Sequence, residues 1–163
     1  NVGKSTVFNL LTGLNQHVGN WTGKTVDRKA GSFVFGNTEY EVVDLPGSYS
    51  LSDNSQEELI AREYILTEHP DLVVAVVDAA TLERTLYLVA ELLLLPAPVL
   101  LVLNMMDVAE KEGIRIEADV LEKAIGIPVV PMSASRASPA PPSLLSDRSR
   151  AATGRRASPR PAR

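Results

Sequence analysis

The chain has 163 residues, 45% of them hydrophobic and 22% charged, enough for one domain with a real core and no more. It holds no cysteine, which excludes a disulfide scaffold and any thiolate metal site. The net charge of −4 hides two unlike parts: residues 1–135 carry 9 Lys+Arg against 19 Asp+Glu, and residues 136–163 carry 7 Arg against one acid, Asp147.

The chain opens on Asn1-Val2-Gly3-Lys4-Ser5-Thr6, the back half of the G-x-x-x-x-G-K-[ST] phosphate-binding pattern, joined at its fourth position. The apolar run Val7, Phe8, Leu10, Leu11 predicts a helix from about Ser5 to Thr12, with Gly13 as its stop. Leu14 to Ala30 reads as a long polar connection containing Gly19, Gly23 and Thr25. Ser32–Phe35, Gly36-Asn37 and Thr38–Val43 read as a hairpin, and Asp44 to Asn54 as a second loop. Ser55-Gln56-Glu57-Glu58 is a capping box for a helix ending near Glu68, before Pro70.

Leu72–Val77 is then a buried strand, followed by a helix from Thr81 or Leu82 to about Leu95. The apolar stretch from Leu92 to Leu103 is broken by Pro96 and Pro98 and is too short to span a membrane as a helix. Val99–Leu103 is the next strand, with a short helical turn after Asp107. Glu117–Ile125 is a helix stopped by Gly126, and Ile127–Met132 is the last strand. Strands alternating with helices argue an α/β fold with a mainly parallel sheet flanked by helices. With the opening loop this makes it a P-loop NTPase type, from which the first strand, the one that should lead into the loop, is missing.

Residues 135–163 are mostly Ser, Ala, Pro and Arg and read as a disordered tail beyond a domain of residues 1–134. The tail lacks aromatics for base stacking, so no nucleic-acid partner is expected. Its composition matches GC-rich DNA read out of frame, which favours a frameshifted or artefactual end.

Four polar clusters each follow a strand: the opening loop, Asp44-Leu45-Pro46-Gly47, Asn104-Met105-Met106-Asp107 and Ser133-Ala134. The carboxyl edge of a parallel sheet is where ligands bind. Backbone N–H groups from Asn1 to Thr6 would wrap phosphates, Lys4 would reach the β/γ oxygens, and the Ser5 hydroxyl would meet Mg²⁺. Asp44 would hold that metal through water, and Gly47, lacking a Cβ, would bring its N–H to a γ-phosphate. Asn104 and Asp107 are the base-reading pair, a carboxylate accepting from the guanine ring N–H and amino group together. Ser133-Ala134 would offer a backbone N–H to the guanine carbonyl. The blander alternatives are an ordinary loop before a helix, a turn-initiating Asp before Pro-Gly, and Asn104 and Asp107 as helix caps.

The order of these motifs resembles translation-factor-type small GTPases. Val18-Gly19-Asn20-Trp21-Thr22-Gly23-Lys24-Thr25-Val26 and Asp44-Leu45-Pro46-Gly47-Ser48-Tyr49-Ser50-Leu51 resemble the ferrous iron transport protein B family over residues 1 to about 134. The resemblance implies a GTP-binding and GTP-hydrolysing domain on the cytoplasmic face of a bacterial or archaeal inner membrane, regulating Fe²⁺ uptake by its own membrane domain. It implies GTP/GDP and Mg²⁺ as cofactors, with K⁺ held by Asn1 and by carbonyls around Trp21 and Gly23. Thr25 then matches the switch threonine that closes on Mg²⁺ and γ-phosphate, acting with Lys4 and Gly47 in hydrolysis. Met105 stands where many GTPases carry Lys, and no water-positioning Gln follows Gly47. The competing readings are a soluble GTPase of ribosome or tRNA maturation and a non-enzymatic remnant.

Overall fold

A computed structural model describes residues 2–13, 15–23, 25–47, 51 and 55–133. In chain order the elements are α1 (Lys4–Thr12), β1 (Gln16–Asn20), β2 (Asp27–Phe35), β3 (Thr38–Asp44), α2 (Gln56–Glu68), β4 (Val73–Asp78), a 3₁₀ turn (Ala79–Thr81), α3 (Leu82–Leu92), β5 (Val99–Asn104), α4 (Met106–Lys111), α5 (Ala118–Ile125) and β6 (Val129–Pro131). They form two three-stranded sheets, β1–β2–β3 antiparallel and β4–β5–β6 parallel. The parallel sheet is flanked by helices, as the alternating pattern requires.

Every side chain of β5 is buried, which explains its unbroken Val-Leu-Leu-Val-Leu run. On one face Val99, Leu101 and Leu103 join Val73, Ala75 and Val77 of β4 against Ile65 of α2 and Val89 and Leu92 of α3. On the other face Leu100 and Val102 pack with Val7 and Leu11 of α1. Burying side chains of this size contributes about 1.5–3 kcal/mol each. Helix α1 also lies against β2 and β3, so it bridges the two sheets and carries its N-terminus to their shared end.

Local chemistry sets the boundaries. Gly13, at φ 56, ends α1 with its N–H on the Asn9 carbonyl at 2.9 Å. Gly31 of β2 faces α1 so closely that a Cβ would lie 2.5 Å from the Asn15 carbonyl oxygen and 2.8 Å from Thr12 Cγ2. Ser55 caps α2, its hydroxyl accepting from the Glu58 N–H at 3.1 Å, as the capping box predicts. Helix α2 closes at His69 in the left-handed region, just before Pro70.

Several expectations change. The polar connection of residues 14–30 contains strand β1 and the first four residues of β2, which begins at Asp27 and not Ser32. Nearly every side chain of β1 is exposed, so no apolar alternation marks it. Its backbone pairing with β2, Gln16 opposite Gly31 through Asn20 opposite Asp27, makes it a strand. Helix α3 stops at Leu92, short of Leu95, and α4 begins at Met106, before Asp107. The proposed tail, Asn1, Ala134 and most of the Asp44–Asn54 loop beyond Gly47 lie outside the described residues.

Candidate functional site

The opening loop turns into α1 through Gly3, whose φ of 81 is left-handed. A Cβ there would collide with the Asn104 side-chain amide, so glycine is required twice over, by backbone angle and by space. Asn104 ends β5, is 1% exposed, and donates from Nδ2 to the Val2 carbonyl at 3.0 Å. A buried amide at the end of an apolar strand must find partners. Here one partner is the loop itself, so Asn104 braces the loop from the end of β5.

Lys4, the first residue of α1, reaches across to the end of β3. Its Nζ lies 3.1 Å from Asp44 Oδ1 and also donates to the Leu45 carbonyl oxygen. A Cβ on Gly47 would sit 3.8 Å from the same Nζ. Lys4, Asp44 and Gly47 are thus gathered at one point, while Ser5 and Thr6 follow on the exposed first turn of α1.

The neighbouring part of the site is built from β5, α4 and the end of β6. Met105 takes the left-handed conformation, φ 61 and ψ 33, one of two non-glycine residues to do so among those described. That sharp turn starts α4 directly after the strand and sets Asp107 in its first turn. The Asp107 N–H donates to the Ser133 hydroxyl at 3.2 Å, the Met106 N–H to the Met132 carbonyl at 3.3 Å, and the Met132 N–H to the Leu103 carbonyl at 2.9 Å. Ser133 therefore holds the start of α4, a role for its side chain that the motif alone does not reveal.

Thr25, Trp21 and Gly23 are not brought to this point. They lie on the turn between β1 and β2, closed by the Trp21 N–H on the Val26 carbonyl at 3.0 Å. Lys29 pairs with Asp44, so Thr25 lies four residues further out, up to about 13 Å along an extended strand. Thr25 is exposed. The Trp21 ring instead meets Tyr64 of α2 edge to face, centroids 5.4 Å apart at 77°, with the Arg28 guanidinium 5.4 Å from its centroid. Burial pushes the Tyr64 hydroxyl above its ordinary range, against the lowering pull of Arg28. Neither Arg28 nor Tyr64 belongs to a nucleotide motif, and their spacing in sequence gives no signal of the cluster.

Comparison with known proteins decides the family. The family model described as Ferrous iron transport protein B matches residues 1–141. The chain belongs to the ferrous iron transport protein B family. The Fe(2+) transporter FeoB of Shigella flexneri is 51% identical to it over 140 residues, covering 83% of this chain and 18% of that protein. The chain thus spans less than a fifth of the length of the curated relatives it matches. The FeoB G-domain from Methanococcus jannaschii is 46% identical with a TM-score of 0.79, covering 92% of each chain. The cytosolic domain of the T. maritima FeoB iron transporter in GMPPNP form is 40% identical with a TM-score of 0.82, covering 91% of this chain and 58% of that one. The fold is that of the FeoB G domain, a P-loop NTPase, and the gathered loops occupy its strand ends.

Proposed function

We propose that this FeoB-family chain binds guanine nucleotide at the carboxyl ends of β3, β5 and β6 and hydrolyses GTP. The observation that carries the reading is the convergence of Lys4 on Asp44 and Leu45, with Asn104 joining the phosphate loop to the Asp107 side. The T. maritima relative in its GMPPNP form supports it, since that chain shares the fold and binds a guanosine triphosphate analogue. In this reading Lys4 exchanges Asp44 and Leu45 for phosphate oxygens, with Asn1 to Thr6 supplying backbone donors. Asp107 accepts from the guanine edge beside Ser133-Ala134, and Asn104 and Met105 shape the turn that presents it.

The oxygen donors of Ser5, Asp44 and Thr25 suit Mg²⁺, which is commonly held by one or two protein ligands together with phosphates. Among the described residues no cluster of three His, Asp or Glu could hold a metal alone. The magnesium ion would neutralise charge developing on the phosphates. Asn1 and the backbone carbonyls near Trp21 and Gly23 would serve K⁺; equal hydrolysis rates in KCl and NaCl would remove that role.

Residues 1–134 form the nucleotide domain in this reading, with 135–163 a separate tail. The whole protein would move Fe²⁺ through its own membrane domain, with this domain as a switch on the cytoplasmic face. Among the described residues no helix is long and apolar enough to cross a membrane. The ribosome- or tRNA-maturation reading finds no support in the relatives described above. Asp107→Ala tests the assignment. Guanine-over-adenine preference, measured by competition binding, should fall by a factor of ten or more, on the order of one lost charge-assisted bond. Unchanged preference refutes the base-reading role.

A further inference from the structure

Thr25 cannot reach Asp44 while the turn from Trp21 to Val26 stays where it is, and Trp21 is what fastens that turn. Its ring is seated against Tyr64 on α2, and Arg28 of β2 lies over it. The seat has a flaw: Trp21 Nε1 is buried and finds no hydrogen-bond partner among the described residues. Edge-to-face aromatic contact and the cation over the ring favour the seated state. An unsatisfied buried N–H opposes it. The unsatisfied N–H offsets part of what the ring contacts contribute, so the seated state is favoured yet costs less to leave than a fully satisfied seat would.

We propose that Trp21 is a release latch, seated on Tyr64 and Arg28 while the γ-phosphate site is empty and withdrawn when guanosine triphosphate draws Thr25 inward. This rests on the nucleotide reading above. Helix α2 follows directly on the loop that begins at Asp44 and Gly47, beside Lys4. The seat therefore couples the arm carrying Thr25 to the segment that meets the phosphates from the other side. Withdrawal gives Nε1 access to water, which recovers the hydrogen bond the seat denies it.

Trp21 is the one tryptophan of the chain, so its fluorescence reports the latch without labelling. Acrylamide quenching is measured on the 163-residue protein without nucleotide, with GDP and with GMPPNP, in wild type, Tyr64→Ala, Tyr64→Phe and Arg28→Gln. Without nucleotide, Tyr64→Ala should raise quenching, because losing such a pair shifts the seated-to-released ratio roughly twofold to tenfold. Tyr64→Phe keeps the ring and should stay near wild type. Arg28→Gln, at an exposed position, should raise quenching too and serves if Tyr64→Ala does not melt cooperatively. GMPPNP should raise wild-type quenching and GDP should not.

Equal quenching in wild type and the folded variants overturns the seat. Equal quenching with GMPPNP and GDP, both shown bound by equilibrium dialysis, overturns the release. Failure of both nucleotides to bind in dialysis sinks the guanine-site reading and the release step with it, and the nucleotide-free comparison still decides the seat.

Discussion

In β5 no side chain is exposed, and the residues at its end are tied outward by side-chain bonds: Asn104 to Val2, and Ser133 to Asp107. In the β1–β2 arm the side chains of β1 are exposed or half-exposed, and beyond the Gln16 amide, which donates to Asn9, Thr12 and Gly13, the strand is held by backbone pairing. Its outer turn is pinned at Trp21. The first region is shaped by packing and polar satisfaction, which leave one arrangement. The second is an edge with little buried apolar surface, and such elements open at low free-energy cost. A switch needs both kinds of region, a fixed frame to hold a ligand and a loosely held arm to respond to it.

The largest expected effect breaks or upholds this contrast directly. Leu101→Ala, in the middle of β5, should lose about 2–5 kcal/mol of stability in denaturant unfolding. Val18→Ala, on an exposed face of β1, should change it by no more than about 0.5 kcal/mol. Similar losses at the two positions would mean that the arm is packed as firmly as the frame.

A smaller effect is expected at the joint between loop and strand. Asn104→Ala leaves the Val2 carbonyl without that donor and should cost about 1–3 kcal/mol. Because Asn104 braces the phosphate loop, nucleotide affinity should fall along with stability. A variant that loses stability with affinity intact would make Asn104 a purely structural residue.

The smallest effect concerns pH. Burial raises the Tyr64 hydroxyl above its ordinary value of 10.0, Arg28 lowers it, and Glu41 and Glu68 add to the rise. The folded state therefore favours the neutral phenol. That preference is fully present below pH about 10, where tyrosine ionises in an unfolded chain, and is lost as pH rises through the raised value. Trp21 quenching should increase over that alkaline range in wild type. Tyr64→Phe should flatten the increase, and an identical curve in the variant would remove Tyr64 from the seat.

The same contrast explains what could be read from the chain. The run Val99–Leu103, the capping box at Ser55 and the stops at Gly13 and Gly126 fix their elements through burial, a side-chain hydrogen bond or a left-handed backbone angle. Each of these leaves a mark in residue type. Lys4, Asp44 and Gly47 lie together because α1 packs on β3 and starts where that strand ends. Strand β1 was not legible, since it buries almost nothing and its pairing uses only the backbone. The place of Thr25 was not legible either, because the resemblance implies a role for it without saying where an arm of this kind rests. The brace made by Asn104 was half visible: a polar amide closing an apolar strand demands a partner without saying which.

Thermal unfolding of the 163-residue chain with Mg²⁺ and no nucleotide, GDP or ADP is the most direct test of the guanine-site account. Binding to the folded state alone raises the melting temperature. The account predicts a clear rise with GDP and little or none with ADP at equal concentration. No rise with either nucleotide, or equal rises with both, would contradict it.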